Sequence, residues 1–597
     1  MVENLSKLGP EAALLIDERV EDLLSQMTLE EKAGMMFYTA IGMNPDGSLL
    51  EGSGTFGPSQ TSDPVVNRLI NHFNVYEVAD PKPMAEWHNR LQKLAERTRL
   101  GIPVTIASDP RHAYSQNPAT SMMAGKFSQW PEPLGLAATR DPALVEEFGD
   151  IARQEYLAVG IRTALHPMAD LATEPRWARI NGTFGEDAGL ASQMVSAYIK
   201  GFQGDTLGPE SVSCMTKHFP GGGPQKDGED PHFAYGKEQI YPGDNWNYHL
   251  IPFEAAFAAG TAQIMPYYGM PVGLPIEKVG FGFNKDVITG LLRQTYRFDG
   301  VVCTDWSLLT PVMDSGRELI EAKCWGVEDL SVDERAKKAI DAGVDQFGGE
   351  ACPEVIVRLV RSGQIDEARI DESVRRLLRD KFRLGLFDDP YVDPAAAETI
   401  VGDDTFRKAG ELAQRKSIVL LKNAETPQGM TLPIRGRPKI YLENVDPEIA
   451  SEYGQVVEDV QDADVAILRL TTPYEPREGF LDRHFHAGDL VFAGKETAHL
   501  LDIMGRVPTI VDIYLDRPAV IPEIAERSAG LLADFGASEA AVLDVIFGRF
   551  TPSAKLPFEM PSSMEAVRKQ KEDVPYDSEN PLFPYGHGLT YQDRSLE

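Results

Sequence analysis

The sequence predicts an α/β protein of two domains, an N-terminal (β/α)8-like TIM barrel over residues 1–395 and a C-terminal three-layer α/β sandwich over residues 396–597. Three observations lead to this prediction. Short apolar runs that end in polar residues recur along the first part of the chain, helical segments separate most of these runs, and a second strand–helix series follows a Pro/Asp-rich break. Strands that alternate with helices are typical of parallel sheets with right-handed crossovers.

The first part opens with helical segments at 16–27 and 87–98, and between them Thr28 and Glu31 have the spacing of a capping box. The strand-like runs that follow are 102–107, 161–165, 212–216, 262–265, 301–304 and 342–347. In a barrel of this type, the loops after the strands form the active face. We therefore expect the polar and aromatic residues at these strand ends to converge there, namely Asp109, Lys217, His218, Tyr267 and Asp305.

The barrel unit closes with a helix over 371–383, whose apolar side chains form one stripe before the capping residue Gly385. We place the domain boundary near 394–401. The second part continues with a helix at 406–415, a helix at 540–547 and strand-like runs at 417–421, 439–442, 465–470, 509–515 and 530–533. Ligand-binding loops follow strand ends in such sheets, and the run 465–470 leads into a loop that contains Glu475 and Glu478.

The composition is that of a globular protein with a strongly acidic balance. The chain has 597 residues, of which 42% are hydrophobic and 25% are charged, and its formal net charge is −33. This charge disfavours nucleic acid and anionic membranes as partners, and no apolar run approaches the ~18 residues of a membrane span. We therefore expect a neutral or cationic ligand, no nucleic-acid partner and no membrane partner.

The cysteines and the start of the chain bear on location and cofactors. The four cysteines lie far apart and form no Cys-x-x-Cys pair, which argues against a zinc site and against a disulfide framework. The first residues lack the basic start and the apolar core of a secretory signal. We expect a cytoplasmic protein without a metal or cofactor. The oligomeric state is left open, with a homodimer as one option.

Five segments resemble glycoside hydrolase family 3. They are Lys-His-Phe-Pro-Gly at 217–221, Pro-Arg-Trp-Ala-Arg and Thr-Phe-Gly-Glu-Asp within 175–187, Thr-Asp-Trp at 304–306, Gly-Leu-Phe at 385–387, and the closing Phe-Pro-Tyr-Gly-His-Gly-Leu-Thr-Tyr at 583–591. Their order is that of the family, and they are most similar to the two-domain type related to bacterial β-glucosidases and plant exo-β-glucanases. The resemblance implies a retaining β-glycosidase whose pocket lies between a barrel and an α/β sandwich.

The same resemblance implies roles for barrel residues. Asp305 matches the nucleophile, and Trp306 would flank the aglycone. Tyr267 matches an aromatic residue beneath the sugar in the −1 subsite. The residues that match the ligands of that sugar's hydroxyl groups are Asp109, Arg179, Lys217 and His218.

Three positions depart from the family pattern. Thr304 stands where serine is common, and Ala178 replaces the middle glycine of the Arg-Trp-Gly-Arg motif. Gly182 stands where that motif usually continues to a glutamate, so one polar contact near the pocket is expected to be missing. None of these changes removes a reacting group.

The acid/base is open among three candidates, because the family supplies it from variable loops. Glu475 and Glu478 lie in the second-domain loop, and we favour Glu475 because its surroundings resemble the Pro-Tyr-x-Glu loop of the plant enzymes. Asp230 and His232 resemble the dyad of single-domain N-acetylglucosaminidases, in which the carboxylate orients a histidine acid. We instead expect Asp230 and His232 to contact the substrate, because a complete second domain is present.

We therefore expect a retaining, exo-acting β-glycosidase, in the first place a β-glucosidase that releases a terminal non-reducing β-D-glucosyl residue through a covalent intermediate on Asp305. Alternatives are a β-xylosidase, an N-acetyl-β-glucosaminidase that uses Asp230 and His232, and a transglycosylase. A non-catalytic carbohydrate-binding protein is disfavoured, because the nucleophile and the residues that bind the sugar are all present.

Overall fold

The computed structural model describes residues 10–52, 61–77, 79–116, 121–314, 316–427 and 429–591. Its N-terminal part is a barrel of eight parallel strands, which confirms the predicted fold class. The strands neighbour one another in chain order, the eighth pairs with the first, and a parallel bridge between Cys303 and Gln346 closes the ring between the seventh and the eighth. In order, the strands are Phe37–Ile41, His72–Val75, Thr105–Ser108, Ile161–Ala164, Ser213–Phe219, Gln263–Pro266, Val301–Val302 and Phe347–Gly348.

The first two barrel strands lie outside the predicted runs. Phe37–Ile41 begins one residue after the helix Leu29–Met35, so helix and strand form one continuous apolar segment in the sequence. His72–Val75 alternates polar and apolar residues, yet its polar side chains His72 and Asn74 are buried. The sequence does not predict the first strand because no polar residue separates it from the preceding helix. It does not predict the second because polar residues interrupt its apolar run.

The barrel interior is filled by side chains. One small cluster takes residues from the first strand and from the positions in or directly after the third to seventh strands, and it packs beneath the active face. Its members are Tyr38, Ala107, Leu165, Met215, Met265 and Cys303. The floor of any pocket at the carboxyl ends of the strands is therefore closed by apolar packing.

Helices surround the barrel, and two of them have the ends that the sequence predicts. The predicted capping box is present, since Thr28 N–H donates to Glu31 Oε2 at 2.8 Å and Glu31 N–H donates to Thr28 Oγ1 at 3.3 Å. The closing helix Glu367–Arg383 buries the predicted stripe, and Gly385 follows it with φ 71°. The other α-helices of this part are Pro10–Gln26, Pro81–Ala95, Pro133–Ala138, Pro142–Ala158, Ala188–Gln203, Trp246–Ala258, Val332–Ala342, Glu354–Arg361 and Pro394–Ile400.

The loops between the barrel strands and helices contain shorter elements. Two small ribbons pair Glu238–Ile240 with Met270–Val272 and Val312–Asp314 with Arg317–Ile320. Wider helical turns cover Asp63–Asn67 and Asp286–Thr295. Single 3-10 turns cover Ile180–Gly182, Lys226–Gly228, Ala234–Gly236 and Phe281–Phe283.

The C-terminal part is a six-stranded sheet that buries both faces. Ile467 and Ile510 pack in one apolar cluster, whereas Leu468 and Val511 belong to the other, as expected for a sheet between two helical layers. From edge to edge the strands are Val419–Asn423, Gly530–Asp534, Thr509–Tyr514, Val465–Thr471, Lys439–Glu443 and Gln455–Val456, the first of them antiparallel. A small ribbon pairs Glu425–Thr426 with Gly429–Met430, and the helical segments are Asp404–Ser417, Pro447–Ala450, Val460–Asp462, Asp482–His484, Gly494–Met504, Pro522–Arg527, Glu539–Ile546 and Met564–Lys569.

The chain passes between the two parts more than once. Helix Pro394–Ile400, at the predicted boundary, packs against the barrel helices Pro81–Ala95 and Pro142–Ala158. After the last sandwich helices the chain returns to the barrel, where the buried Asp573 accepts hydrogen bonds from Gly243 N–H at 2.7 Å and Asn245 N–H at 2.8 Å. The division at residue 395 stays a prediction.

We expect Asp573→Ala to lower the free energy of unfolding by about 3 kcal/mol, because it removes a buried carboxylate and leaves two partly buried amide donors without an acceptor. Thermal unfolding measures the change as a fall in melting temperature of several degrees. The control is Asp404→Ala, whose side chain is 82% exposed and, among the described residues, forms a single ion pair, with Arg407 at 3.9 Å. We expect that variant to stay within about 0.5 kcal/mol of the wild type. Equal melting temperatures for the two variants would contradict a stabilising role for the hydrogen bonds between Asp573 and the barrel.

Candidate active site

Asp305 lies at the end of the seventh strand with one oxygen available. Trp306 N–H donates to Asp305 Oδ1 at 2.8 Å. Asp305 Oδ2 is buried and accepts no hydrogen bond from any residue that the structure describes, although His218 Nε2 lies 3.8 Å away. A buried carboxylate oxygen without a donor is costly unless a ligand or solvent meets it. Asp305 therefore presents a free oxygen to the barrel mouth.

His218 is held as a neutral acceptor beside Asp305. Its Nδ1 lies 2.7 Å from Asp170 Oδ2, while His218 N–H and Gly222 N–H donate to Asp170 Oδ1 at 3.1 Å and 2.5 Å. Burial lowers the pKa of His218 below its ordinary value despite the nearby carboxylates. A neutral ring that donates from Nδ1 keeps Nε2 as an acceptor, which suits a hydroxyl group of a ligand. Asp170 was not among the predicted site residues, although it follows a predicted strand.

Lys217 and Asp109 form the second polar group of the pocket. Lys217 Nζ donates to Asp109 Oδ1 at 2.9 Å, and Asn74 Nδ2 donates to Asp109 Oδ2 at 3.0 Å. Burial alone would raise the pKa of Asp109, but the Lys217 ammonium and these hydrogen bonds outweigh it and hold the pKa below its ordinary value. The structure thus brings together two predicted residues and adds Asn74, from a strand that the sequence did not reveal.

Arg179 is buried among carboxylates. Its Nε has no hydrogen-bond partner in the described ranges, and its Nη2 lies 3.7 Å from Met168 Sδ. Burial lowers the pKa of Arg179, but Asp230 and Asp305 are among the groups that raise it above its ordinary value. The guanidinium therefore stays charged and retains a donor.

Met168 lies against Gly182, the position where the resemblance implies a glutamate. A Cβ atom at Gly182 would lie 2.5 Å from Met168 Sδ, so a larger side chain fits there only if Met168 moves. The same sulfur atom lies 3.7 Å from Arg179 Nη2. Thr304, which stands where serine is common, uses its hydroxyl group within the barrel, since its Oγ1 accepts a hydrogen bond from Gly348 N–H at 2.9 Å.

Asp230 is bonded on both oxygens. Trp177 Nε1 and Tyr267 Oη donate to Oδ2 at 2.8 Å and 3.2 Å, whereas His232 approaches Oδ1 with its N–H at 2.9 Å and with Nδ1 at 2.6 Å. Burial opposes ionisation, yet His232 and Arg179 hold the pKa of Asp230 well below its usual range. In this arrangement Asp230 orients His232 and Tyr267, and the predicted direct contact of Asp230 with a substrate stays a prediction.

Aromatic rings line the pocket between Asp230 and Asp305. The rings of Tyr267 and His218 lie 4.6 Å apart, and the predicted place of Tyr267 beneath the sugar stays a prediction. Tyr268 donates to Trp306 O at 2.7 Å, and the ring of His232 meets the ring of Tyr268 at 4.7 Å with an interplanar angle of 71°. Tyr268 was not predicted, although it stands beside Tyr267 at the same strand end.

Trp306 is held by the glycines of the eighth strand. A Cβ atom at Gly349 would lie 2.7 Å from Trp306 Cδ1, and one at Gly348 would lie 2.5 Å from Trp306 Cε3. Gly349 also has φ +70°, which glycine adopts without strain. The indole is therefore packed directly onto backbone, and its predicted place at the aglycone stays a prediction.

The second domain reaches the pocket through the loop 472–488. Arg477 forms two hydrogen bonds with Glu229, at 2.6 Å and 2.7 Å, and Tyr235 Oη donates to Asp482 Oδ1 at 2.9 Å. The ring of Phe485 lies 5.0 Å from that of His232. The loop is thus fastened to the barrel loop that carries Asp230 and His232.

The two predicted glutamates of this loop differ in their surroundings. Glu475 pairs with Ala487 through the backbone, its Oε1 accepts from Asp489 N–H at 3.3 Å, and its carboxyl group lies over Gly488. Glu478 is exposed and forms no hydrogen bond or ion pair with any residue in the described part of the chain. Neither carboxyl group contacts Asp305, so their predicted roles stay predictions.

The site contains no metal centre in the ranges that the structure covers. No group of three or more His, Cys, Asp or Glu side chains there has the arrangement of a metal site. Among the helices that the structure describes, none combines the length and the apolar character that a membrane span requires.

Comparisons with known proteins agree with this architecture. The model of the glycosyl hydrolase family 3 N-terminal domain matches residues 58–379, and that of the family 3 C-terminal domain matches residues 414–591. The chain is 52% identical over 585 residues to "Beta-glucosidase C" of Emericella nidulans, covering 98% of this chain and 93% of the relative. It is 43% identical over 597 residues to "Periplasmic beta-glucosidase/beta-xylosidase" of Dickeya chrysanthemi, covering 96% and 90%.

A solved structure of a β-glucosidase from Erythrobacter marinus superposes with a TM-score of 0.78 at 21% identity, covering 96% of this chain and 83% of that one. This similarity concerns the fold. Together with the two family models and the full-length relatives, it leads to one conclusion: the chain belongs to glycoside hydrolase family 3.

Proposed function

We propose that this protein is a retaining, exo-acting β-glucosidase in which Asp305 attacks the anomeric carbon. The observation that carries the proposal is the buried, unpartnered Oδ2 of Asp305 at the barrel mouth. A nucleophile for glycoside hydrolysis needs an ionised carboxylate that is free to form a bond. Asp305 is among the carboxylates that hold the pKa of the buried Arg179 above its ordinary value, so a charged guanidinium shares the pocket with this carboxylate.

The surrounding groups suit a neutral sugar. Lys217 and Arg179 offer donors, Asp109 offers a carboxylate, and His218 offers an acceptor nitrogen. Such a mixture can pair each hydroxyl group as donor and acceptor, whereas a phosphate or another anion would meet the carboxylates. The closed barrel floor means that a ligand enters this pocket from the mouth and not through the barrel.

The relatives support the choice of sugar. The two curated relatives above are called a β-glucosidase and a β-glucosidase/β-xylosidase. A β-glucoside is therefore our first substrate and a β-xyloside our second. The cytoplasmic location stays a prediction, and the name of the Dickeya relative gives that protein a periplasmic location.

The contacts favour His232 as the acid/base. Its Nδ1 is held by Asp230, which leaves Nε2 as the nitrogen that exchanges a proton, and its ring packs on Tyr268 next to Trp306. Glu475 would first have to leave Asp489 and Gly488. Glu478 is the alternative, because its side chain has no partner in the described ranges and its loop is fastened beside His232.

We expect kcat/KM to be highest for an aryl β-glucoside when it is compared with the matching β-xyloside and N-acetyl-β-glucosaminide. The reason is that the pocket pairs hydroxyl groups, and glucose presents one more hydroxyl group than xylose. Released aryl alcohol measures all three rates, and product analysis with added cellobiose measures transfer against hydrolysis. A higher kcat/KM on the xyloside or on the N-acetyl sugar would show that the proposed substrate is wrong. No turnover of any of the three would indicate a carbohydrate-binding protein and not an enzyme.

We expect Asp305→Asn to reduce kcat on the aryl glucoside to below about 1% of the wild-type value, because the amide cannot form the covalent intermediate. Melting temperature should change little. Asp299→Asn is the matched control, because its exposed carboxylate precedes the same strand and pairs with Arg376 at 3.2 Å. A 2-fluoro glucoside should label Asp305 in the wild type, and labelling elsewhere would refute the assignment.

We expect His232→Ala to lower cellobiose hydrolysis by about 10³-fold, because that leaving group needs a proton. An activated aryl glucoside should still form the intermediate, so its KM falls, and azide should restore turnover with β-glucosyl azide as product. His484→Ala, in the second-domain loop, is the control and should match the wild type. If Glu478→Ala or Glu475→Ala shows this pattern and His232→Ala does not, the second domain supplies the acid.

A further inference from the structure

Lys323 lies on a segment that joins the two sides of the pocket. The segment follows the ribbon Arg317–Ile320, and Lys323 N–H donates to Ser307 O at 2.9 Å, two residues beyond Asp305. Two residues after Lys323, Trp325 Nε1 donates to Pro231 O at 2.8 Å, beside His232. The side chain therefore starts from backbone that is tied both to the strand end of Asp305 and to the loop of His232.

The ammonium group of Lys323 has no acceptor among the described residues. The residue is 3% exposed and no described residue forms a hydrogen bond or an ion pair within 4.0 Å with its Nζ, yet Nζ itself is not enclosed by protein. The centroid of the Tyr268 ring lies 5.9 Å from Nζ. An ammonium carries three donors, so the accessible tip of this otherwise buried side chain can donate to a ligand.

The other buried lysines of the described chain all have partners. Lys381 Nζ donates to Asn71 O, Pro103 O and Thr105 Oγ1 at 3.0, 2.9 and 2.7 Å. Lys217 donates to Asp109 at 2.9 Å, and Lys32 pairs with Glu367 at 2.7 Å and with Asp371 at 2.6 Å. Lys323 differs from all three, so packing alone does not account for its position.

The position of Lys323 in the barrel indicates which part of a substrate it meets. Asp109 and Asp170 follow the third and fourth strands and Lys217 lies in the fifth, whereas Lys323 follows the seventh, on the opposite side of the mouth. Lys323 and His232 both pack on the ring of Tyr268. Its side chain is therefore on the side of the leaving group and not among the residues that clamp the first sugar.

The charges around Lys323 agree with a cation that is kept for a ligand. Burial lowers the pKa of Lys323 to about 8, while Asp305, Glu350 and Glu321 oppose that fall. Glu350 is itself engaged, because Leu309 N–H and Thr310 N–H donate to its Oε1 at 2.7 Å and 3.1 Å. The neighbouring carboxylates thus stabilise the charge from a distance but do not bind it.

We propose that Lys323 is a specificity-determining residue of the leaving-group subsite, where its ammonium group donates to a hydroxyl or ring oxygen of a second sugar. The inference rests on the proposed glycosidase function, and it extends that function to the class of aglycone. An aglycone that is a sugar supplies the acceptors that the chain lacks. A simple aryl aglycone does not.

The test compares Lys323→Met with the wild type on two substrates. For cellobiose we expect kcat/KM to fall about 30-fold, because one hydrogen bond from a charged group is lost. For phenyl β-glucoside we expect a change below about 3-fold, since that aglycone has no further acceptor. Lys323→Arg, which keeps a charged donor, should retain more activity on cellobiose. Lys237→Met is the control, because this lysine touches the ring of Trp325 at 5.8 Å but pairs with Glu328 at 2.8 Å.

Calorimetry separates binding from catalysis. Cellobiose should bind Asp305→Asn about 10-fold more tightly than the double variant with Lys323→Met, while methyl β-glucoside should bind both equally. Equal losses on both substrates, or equal cellobiose affinities, would overturn the role of Lys323. If the wild type cleaves no glycoside, the proposed function fails, and the calorimetry still decides whether Lys323 holds a second sugar. If Lys323→Met does not fold, Lys323→Gln, which removes the charge but keeps a polar side chain, takes its place in both assays.

Discussion

The candidate pocket depends on how a seventh strand of only two paired residues is held in the barrel. Asp345 is buried at the turn before the eighth strand, where its carboxylate accepts from Val302 N–H at 2.9 Å and pairs with Arg293 and Arg376. Thr304 then bonds across to the eighth strand through both its N–H and its hydroxyl. These bonds fix the backbone directly before Asp305, so the free oxygen of that residue has a defined position.

Buried cations in the pocket, and not charges on the protein surface, offset the negative charge of the carboxylates around this oxygen. The formal net charge of −33 repels anions, yet Lys217 and Arg179 are buried cations that sit among carboxylates. Arg179 Nε and Asp305 Oδ2 have no hydrogen-bond partner among the described residues, and Lys217 pairs with Asp109. The result is a polar cavity of mixed sign, which suits a molecule with many hydroxyl groups and no charge.

The two domains contribute to the pocket in different ways. The barrel supplies Asp305 and the groups around it from strand ends, which are rigid positions. The second domain supplies a loop that is fastened by Arg477 to Glu229 and by Phe485 to the ring of His232. This arrangement couples the sandwich to the side of the leaving group, where His232, Tyr268 and Lys323 also meet. Differences in that loop would therefore change the aglycone more than the first sugar.

The sequence alone determined the alternation of strands and helices, the glycoside hydrolase family and the strand-end residues Asp109, Lys217, His218 and Asp305, because each of these is a local pattern of adjacent residues. It did not reveal the strand with Asn74, whose polar residues are buried only because the barrel closes around them. Tertiary structure decided the contact of Asp170 with His218, the pairing of Asp230 on both oxygens and the place of Lys323 beside the ring of Tyr268. Each depends on atoms brought together from distant strands, and no spacing along the chain records such a contact.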